Sequence, residues 1–153
     1  MKLNIVLIAP EIPQNTGNIG RLCVNMGMRL HLIEPLGFSI EDKMLRRAGL
    51  DYWKDLDPQI YPDWETFMEK ECPENFIFMS TKTEQCFYDY RFKGDEYLVF
   101  GNEGHGLPVD FYERYKEQLY TLPMPGHGNR SLNIANAVAV GAYEAYRQLE
   151  IDR

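Results

Sequence analysis

Residues 3–9 are apolar at every position but Asn4 and have the length of one strand. A continuous apolar run of this kind suits a strand covered on both faces, and it excludes folds whose strands alternate between core and water. Residues 75–80 and 96–100 repeat the pattern. Two more strands are expected at 30–33, closed by Glu34-Pro35, and at 119–122. The aromatic, proline-rich stretch 51–62 reads as irregular, with one short strand near Ile60. Helical segments separate these runs. Pro10 and Pro13 break the chain before a helix over about 18–26, and a helix over 41–48 is stopped by Gly49. Asp63 is placed to cap a helix through Glu71 that Pro73 ends, and Pro108 suits the first turn of a helix reaching Tyr115. The last helix, from Leu132, puts Ala135, Val138, Ala142, Tyr146 and Leu149 on one face. Strands alternating with helices predict an α/β fold, a mostly parallel sheet flanked by helices. With no internal repeat or linker, residues 1–153 are expected to form a single domain.

Bulk properties bound the function. The formal net charge of −7 argues against a uniformly basic nucleic-acid surface, yet the charges are segregated. Lys43, Arg46 and Arg47 share one predicted helix, whereas acids gather over 63–74 and 89–96. No apolar run reaches the length of a membrane span. The first strand begins almost at Met1, leaving no room for a leader, so a cytoplasmic protein is expected. Cys23, Cys72 and Cys86 lack metal-ligand spacing, and the expectation is reduced, buried thiols and no metal.

Three polar, glycine-bearing segments each follow an apolar strand or approach. The first is Asn-Thr-Gly-Asn-Ile-Gly-Arg at 15–21, read as a turn leading into a helix whose N-terminus could meet a phosphate, with Arg21 adding a forked contact. Read alone, it is more readily a turn with a helix cap and a solvated Arg21. Its glycines fit neither the dinucleotide fingerprint nor the nucleoside-triphosphate loop. The second, Gly-Asn-Glu-Gly-His-Gly-Leu at 101–107, lies at the carboxyl end of a strand, where open α/β sheets bind ligands. There Glu103 could accept hydrogen bonds from ribose or backbone donors, while His105 reads as a surface residue. The third runs from the Pro/Gly-rich approach at 123–128 through Arg130, Ser131, Asn133 and Asn136. No His or Asp partner supports Ser131 as a nucleophile, so a capping role is expected for it. Three such segments suggest one composite site.

Together and in this order, the segments resemble the SPOUT class of methyltransferases. Within it they resemble the SpoU branch, and most closely the minimal tRNA (cytidine/uridine-34)-2′-O-methyltransferases. The likeness rests on residues 10–23, 46–52, 100–108 and 130–138. It implies a C-terminal deep trefoil knot, a homodimer whose sites are completed by the partner, and no separate RNA-binding domain. It also implies S-adenosylmethionine as cofactor, with methyl transfer to the wobble ribose of a tRNA. By the same resemblance Arg21 is the central catalytic residue, supported by Asn18, Arg130, Asn133, Ser131 and Tyr143. The cofactor would be held by Met79, Ser80, Thr81, Gly101, Asn102, Glu103, Gly106, Leu122, Met124, Ser131, Leu132 and Asn136. Lys43, Arg46, Arg47 and Arg130 would hold RNA phosphates. Gly104-His105 stands where many relatives carry Thr-Arg. A guanidinium hardly deprotonates, so Arg21 is expected to grip a phosphate rather than act as a base. Two competing readings are methylation of another RNA, such as ribosomal RNA, and an inactive knotted RNA-binding protein.

Overall fold

The computed structural model describes residues 1–40, 43, 47, 53–128 and 130–152. Six strands form one sheet: β1 (Asn4–Ile8), β2 (Arg29–Ile33), β3 (Gln59–Tyr61), β4 (Phe76–Met79), β5 (Tyr97–Phe100) and β6 (Leu119–Tyr120). Their spatial order is β3-β2-β1-β5-β4-β6, and every pairing is parallel. The α-helices bounded within the described residues are α1 (Pro13–Met26), α2 (Trp53–Leu56), α3 (Trp64–Glu71), α4 (Phe111–Arg114) and α5 (Ile134–Tyr146). A π-helical turn over 147–151 continues α5.

The apolar runs are continuous because both faces of the sheet are covered. In β1, Ile5 and Leu7 face a core shared with Ile19 and Cys23 of α1 and Val138, Ala142 and Ala145 of α5. Val6 and Ile8 face the other side, an aromatic layer of Trp64, Phe67, Phe78, Phe111 and Tyr115. The Trp64 indole nitrogen donates to the Tyr115 hydroxyl at 2.9 Å, which satisfies both polar ends inside that layer. Asp63 caps α3 as its position predicts, accepting from the Thr66 N–H at 2.7 Å.

Several expected boundaries move. Helix α1 starts at Pro13, not near residue 18, so residues 15–21 are helical and Gly17 and Gly20 are buried within it. Strand β6 ends at Tyr120 because the chain then leaves β4 for residues 85–87. Thr121 donates to the Gln85 carbonyl and accepts from the Phe87 N–H, both at 2.8 Å. Pro108 precedes a turn, and α4 is confined to Phe111–Arg114. On α5 the buried face is Val138, Gly141, Ala142 and Ala145, while Tyr146 is exposed. Glu144 is buried beside it, gripped by the Arg147 guanidinium at 2.7 and 2.9 Å. The thiols also divide. Burial pushes the Cys23 thiol up to about 12, whereas Cys72 is exposed and Cys86 half-buried. The expected helix over 41–48 lies largely outside the described residues, as does Arg46; Lys43 and Arg47 are helical and exposed. Among the described residues no helix is long and apolar enough to cross a membrane.

At the amino-terminal side of the sheet His31 of β2 is fully buried, with Nδ1 2.9 Å from the Tyr61 hydroxyl and Nε2 3.0 Å from Asn4 Oδ1. Glu71, reached by the Tyr97 hydroxyl at 3.0 Å and Arg29 at 3.2 Å, lies 3.7 Å away. Burial lowers the His31 pKa to about 4; Glu71 pulls it up and Arg29 pushes it down by less. The unfolded chain therefore takes up this proton near pH 6.5 and the folded one only near 4, so folding loses stability as pH falls between those values. Denaturant titrations from pH 7.5 to 4.5 should show a fall on the order of 2 kcal/mol, largely absent in His31→Gln after allowing for its own baseline.

Candidate active site

The carboxyl ends of β4, β5 and β6 and the starts of α1 and α5 line a cavity of about 500 Å³. It lies where open parallel sheets bind ligands, and its size suits a nucleoside-sized molecule. The wall after β5 is a tight loop. Asn102 and Gly106 exchange backbone hydrogen bonds at 2.8 and 2.9 Å. The Asn102 side chain accepts from the N–H groups of Gly104 (2.8 Å) and His105 (2.9 Å) and donates to the Ala9 carbonyl at 2.7 Å. A Cβ on Gly101 would lie 2.3 Å from the Gly106 carbonyl carbon, so only glycine lets these two backbone stretches meet. Gly106 has φ of +74°, and the next N–H, of Leu107, donates to the Tyr112 hydroxyl at 3.0 Å.

This loop also builds the start of α1. Ile12 occupies the N-cap and offers no side-chain acceptor. Glu103 supplies it from across the fold: its carboxylate accepts from the N–H groups of Glu11 at 2.9 Å and Ile12 at 2.8 Å, and from the Asn15 amide at 3.4 Å. A negative group at a helix N-terminus is favoured by both hydrogen bonding and the helix dipole. At α5 the cap is Asn133, which accepts from Ala135 (2.9 Å) and Asn136 (3.3 Å). Its amide donates to Asn15 Oδ1 at 3.2 Å, so one chain of contacts joins α5, α1 and the loop. Glu103→Gln, which loses one of the two acceptors and the charge, should cost about 1 kcal/mol in denaturant titrations.

Residues 2–143 of the chain match the model of the SpoU rRNA Methylase family. The chain belongs to this family. It is 49% identical over 148 residues to the tRNA (cytidine(34)-2′-O)-methyltransferase of Burkholderia ambifaria, covering 95% of this chain and 94% of that protein. A solved structure described as "Structural insights into the 2-OH methylation of C/U34 on tRNA" superposes with a TM-score of 0.89 at 45% identity, covering 97% of this chain and 96% of that one. The SpoU methyltransferase AviRb of Streptomyces viridochromogenes, solved with AdoMet, superposes at 0.81. It is 24% identical and covers 96% of this chain and 60% of that one, a likeness of fold alone.

In this SpoU chain the cavity lies inside the matched region. Every residue expected at the cofactor lines it except Asn136, which is exposed on α5 and whose N–H is taken by Asn133. Two of these residues are already committed within the protein, because Glu103 and Asn102 make the loop and helix contacts above. Of the residues expected in catalysis, Ser131 and Asn133 line the cavity. Asn18 and Arg21 stand one turn apart on the exposed side of α1, Arg130 is exposed, and Tyr143 is 57% exposed on α5. The reading of 15–21 as a phosphate-binding turn does not survive. The segment is helix, the carboxylate of Glu103 already lies at the head of that helix on the Glu11 and Ile12 N–H groups, and Arg21 sits past the first turn. The sequence reading did not single out Lys82 and Tyr112, which also line the cavity. The resemblance reached only Met79, Ser80 and Thr81 after β4; Lys82 is the next residue.

Proposed function

We propose that this SpoU chain methylates the ribose 2′-hydroxyl of the wobble nucleotide of tRNA, a cytidine or uridine at position 34. One observation carries the reading. All three polar-glycine segments contribute to one cavity, in a chain matching relatives named for this reaction over nearly their whole length. S-adenosylmethionine, when bound, supplies a methyl group activated on sulfonium sulfur. The donor set fits it: backbone groups of the 101–107 loop, with Met79, Leu122 and Leu132 for apolar surface, and no cluster of metal ligands among the described residues.

The protein's part is positioning. A 2′-hydroxyl is a weak acid, so rate depends on holding it in line with the methyl group while its proton departs. In this proposal Arg21 holds an RNA phosphate with its forked guanidinium, and the hydroxyl proton leaves to that phosphate or to water. Asn18, Arg130, Ser131, Asn133 and Tyr143 orient the ribose, and Lys43, Arg46 and Arg47 hold phosphates further along the tRNA. One domain then does all the RNA binding, in the cytoplasm where tRNA is processed.

Arg21 and Tyr143 stand outside the cavity lining, and this supports a homodimer in which the second copy completes each site. Val140 and Tyr143 together form an exposed apolar strip on α5 suited to such a contact. The hydrogen bond from Asn133 to Asn15, which brings the start of α5 against α1 although β6 lies at the sheet edge, supports the trefoil knot. The test is transfer of labelled methyl from S-adenosylmethionine to total tRNA lacking the modification, beside ribosomal RNA. Label at the wobble ribose supports the proposal. Label on ribosomal RNA alone moves the substrate, cofactor binding with no label points to a different RNA or a missing partner, and neither label nor cofactor binding leaves an RNA-binding protein.

A further inference from the structure

We propose that Lys82 is the residue that holds the amino-acid carboxylate of the bound methyl donor at the rim of the cavity. The inference rests on the cofactor reading above and concerns which end of the ligand meets charge. A methyl donor of the S-adenosylmethionine type carries a carboxylate that must be satisfied wherever it lies. Two features of the cavity could ordinarily take an anion through backbone donors, the N-termini of α1 and α5. Each already has one of the chain's own side chains against it. At the first, Glu103 accepts from the N–H groups of Glu11 and the N-cap Ile12, and at the second Asn133 accepts from Ala135 and Asn136. Glu103, itself anionic, adds a repulsive charge nearby.

Lys82 is what remains. It is the one lysine or arginine among the described residues that line the cavity. Its backbone is fixed by an N–H to Ser80 Oγ hydrogen bond of 3.0 Å immediately after β4. Its ammonium lies over the Tyr112 ring, 4.5 Å from the centroid, and no carboxylate pairs with it among the described residues. Tyr112 is itself pinned, because its hydroxyl accepts from Leu107 in the glycine loop. A ring face attracts a cation without neutralising it, so the charge is held against the cavity wall and stays available to an anion.

The decisive comparison is calorimetric binding of two nucleosides to the full chain. S-adenosylhomocysteine carries the carboxylate; 5′-methylthioadenosine has the same nucleoside and sulfur without the amino-acid tail. Lys82→Gln should weaken the first about tenfold and leave the second unchanged, and Lys82→Arg should recover most of the loss. Equal losses for both ligands, or no loss for either, overturn the proposal. Unchanged nucleoside binding with weaker tRNA binding and a shallower salt dependence overturns it in favour of an RNA phosphate. Wild-type protein that binds neither nucleoside overturns the cofactor reading itself, a result separate from any behaviour of the variant.

Discussion

Arg21→Ala should lower methyl transfer to tRNA by roughly 10²–10³-fold while leaving the fold and nucleoside binding intact. The separation follows from where the residue stands. Arg21 is on the exposed side of α1 and takes no part in the cavity lining, so its loss opens no cavity in the core and removes no wall of the ligand site. Single-turnover rates with saturating tRNA, beside calorimetric binding of S-adenosylhomocysteine, read the two effects independently. Arg21→Lys distinguishes the chemistry. If the guanidinium grips a phosphate through its fork, lysine keeps the charge, loses the bidentate geometry and recovers only part of the rate, with the pH–rate profile unshifted. A profile showing one essential base whose apparent pKa moves in Arg21→Lys would instead make residue 21 the proton acceptor. The same variant weakening nucleoside binding would place residue 21 in the cofactor site, contrary to the exposed position it holds.

Gly101→Ala should have the opposite signature, losing ligand binding together with stability. Its Cβ would meet three backbone atoms, the Gly106 carbonyl carbon at 2.3 Å, the Gly106 oxygen at 2.5 Å and the Leu107 nitrogen at 2.5 Å. Backbone cannot rotate aside as a side chain can, so the hydrogen-bonded pair of Asn102 and Gly106 must separate. Forcing an extra carbon into such a contact costs about 1–3 kcal/mol, and thermal unfolding should shift down by about 4–8 °C for a midrange cost. The damage then spreads along known contacts. Asn102 loses its place under Ala9, Glu103 loses its place at the head of α1, and S-adenosylhomocysteine affinity should fall at least tenfold. Gly104→Ala serves as the control. There a Cβ would meet nothing closer than 3.5 Å, so binding and melting temperature should stay near wild type.

The sheet could be read in advance because its information is local. Residues 3–9, 75–80 and 96–100 are apolar on both faces, and the structure buries both faces. The misreading of α1 has the reverse cause. Gly17 and Gly20 weaken any local expectation of helix, and Ile12 is a poor cap. What stabilises the start of the helix is the carboxylate of Glu103, 91 residues from Ile12 in sequence, which no window around Pro13 can contain. For the candidate site, the glycine loop and the start of α5 were legible as motifs, and the residues after β4 only through the family resemblance. Lys82 and Tyr112 were not, because a lysine and a tyrosine separated by the whole of β5 acquire meaning only when the fold stacks one over the other. The outward position of Arg21, Asn18 and Tyr143 was equally invisible, since residue type and spacing do not say which side of a helix faces a neighbour.

The contact of Asn133 with Asn15 bridges 118 positions of the sequence, and through Asn15 it reaches Glu103. During synthesis, residue 15 leaves the ribosome long before residue 133 exists. Until α5 docks, the cavity lacks the wall formed by Ser131, Leu132, Asn133 and Ile134. A nascent chain can therefore complete much of its sheet and still have nowhere to keep a nucleoside. Ligand binding becomes a report on whether the last helix has arrived, and a chain released early is inert rather than partly active.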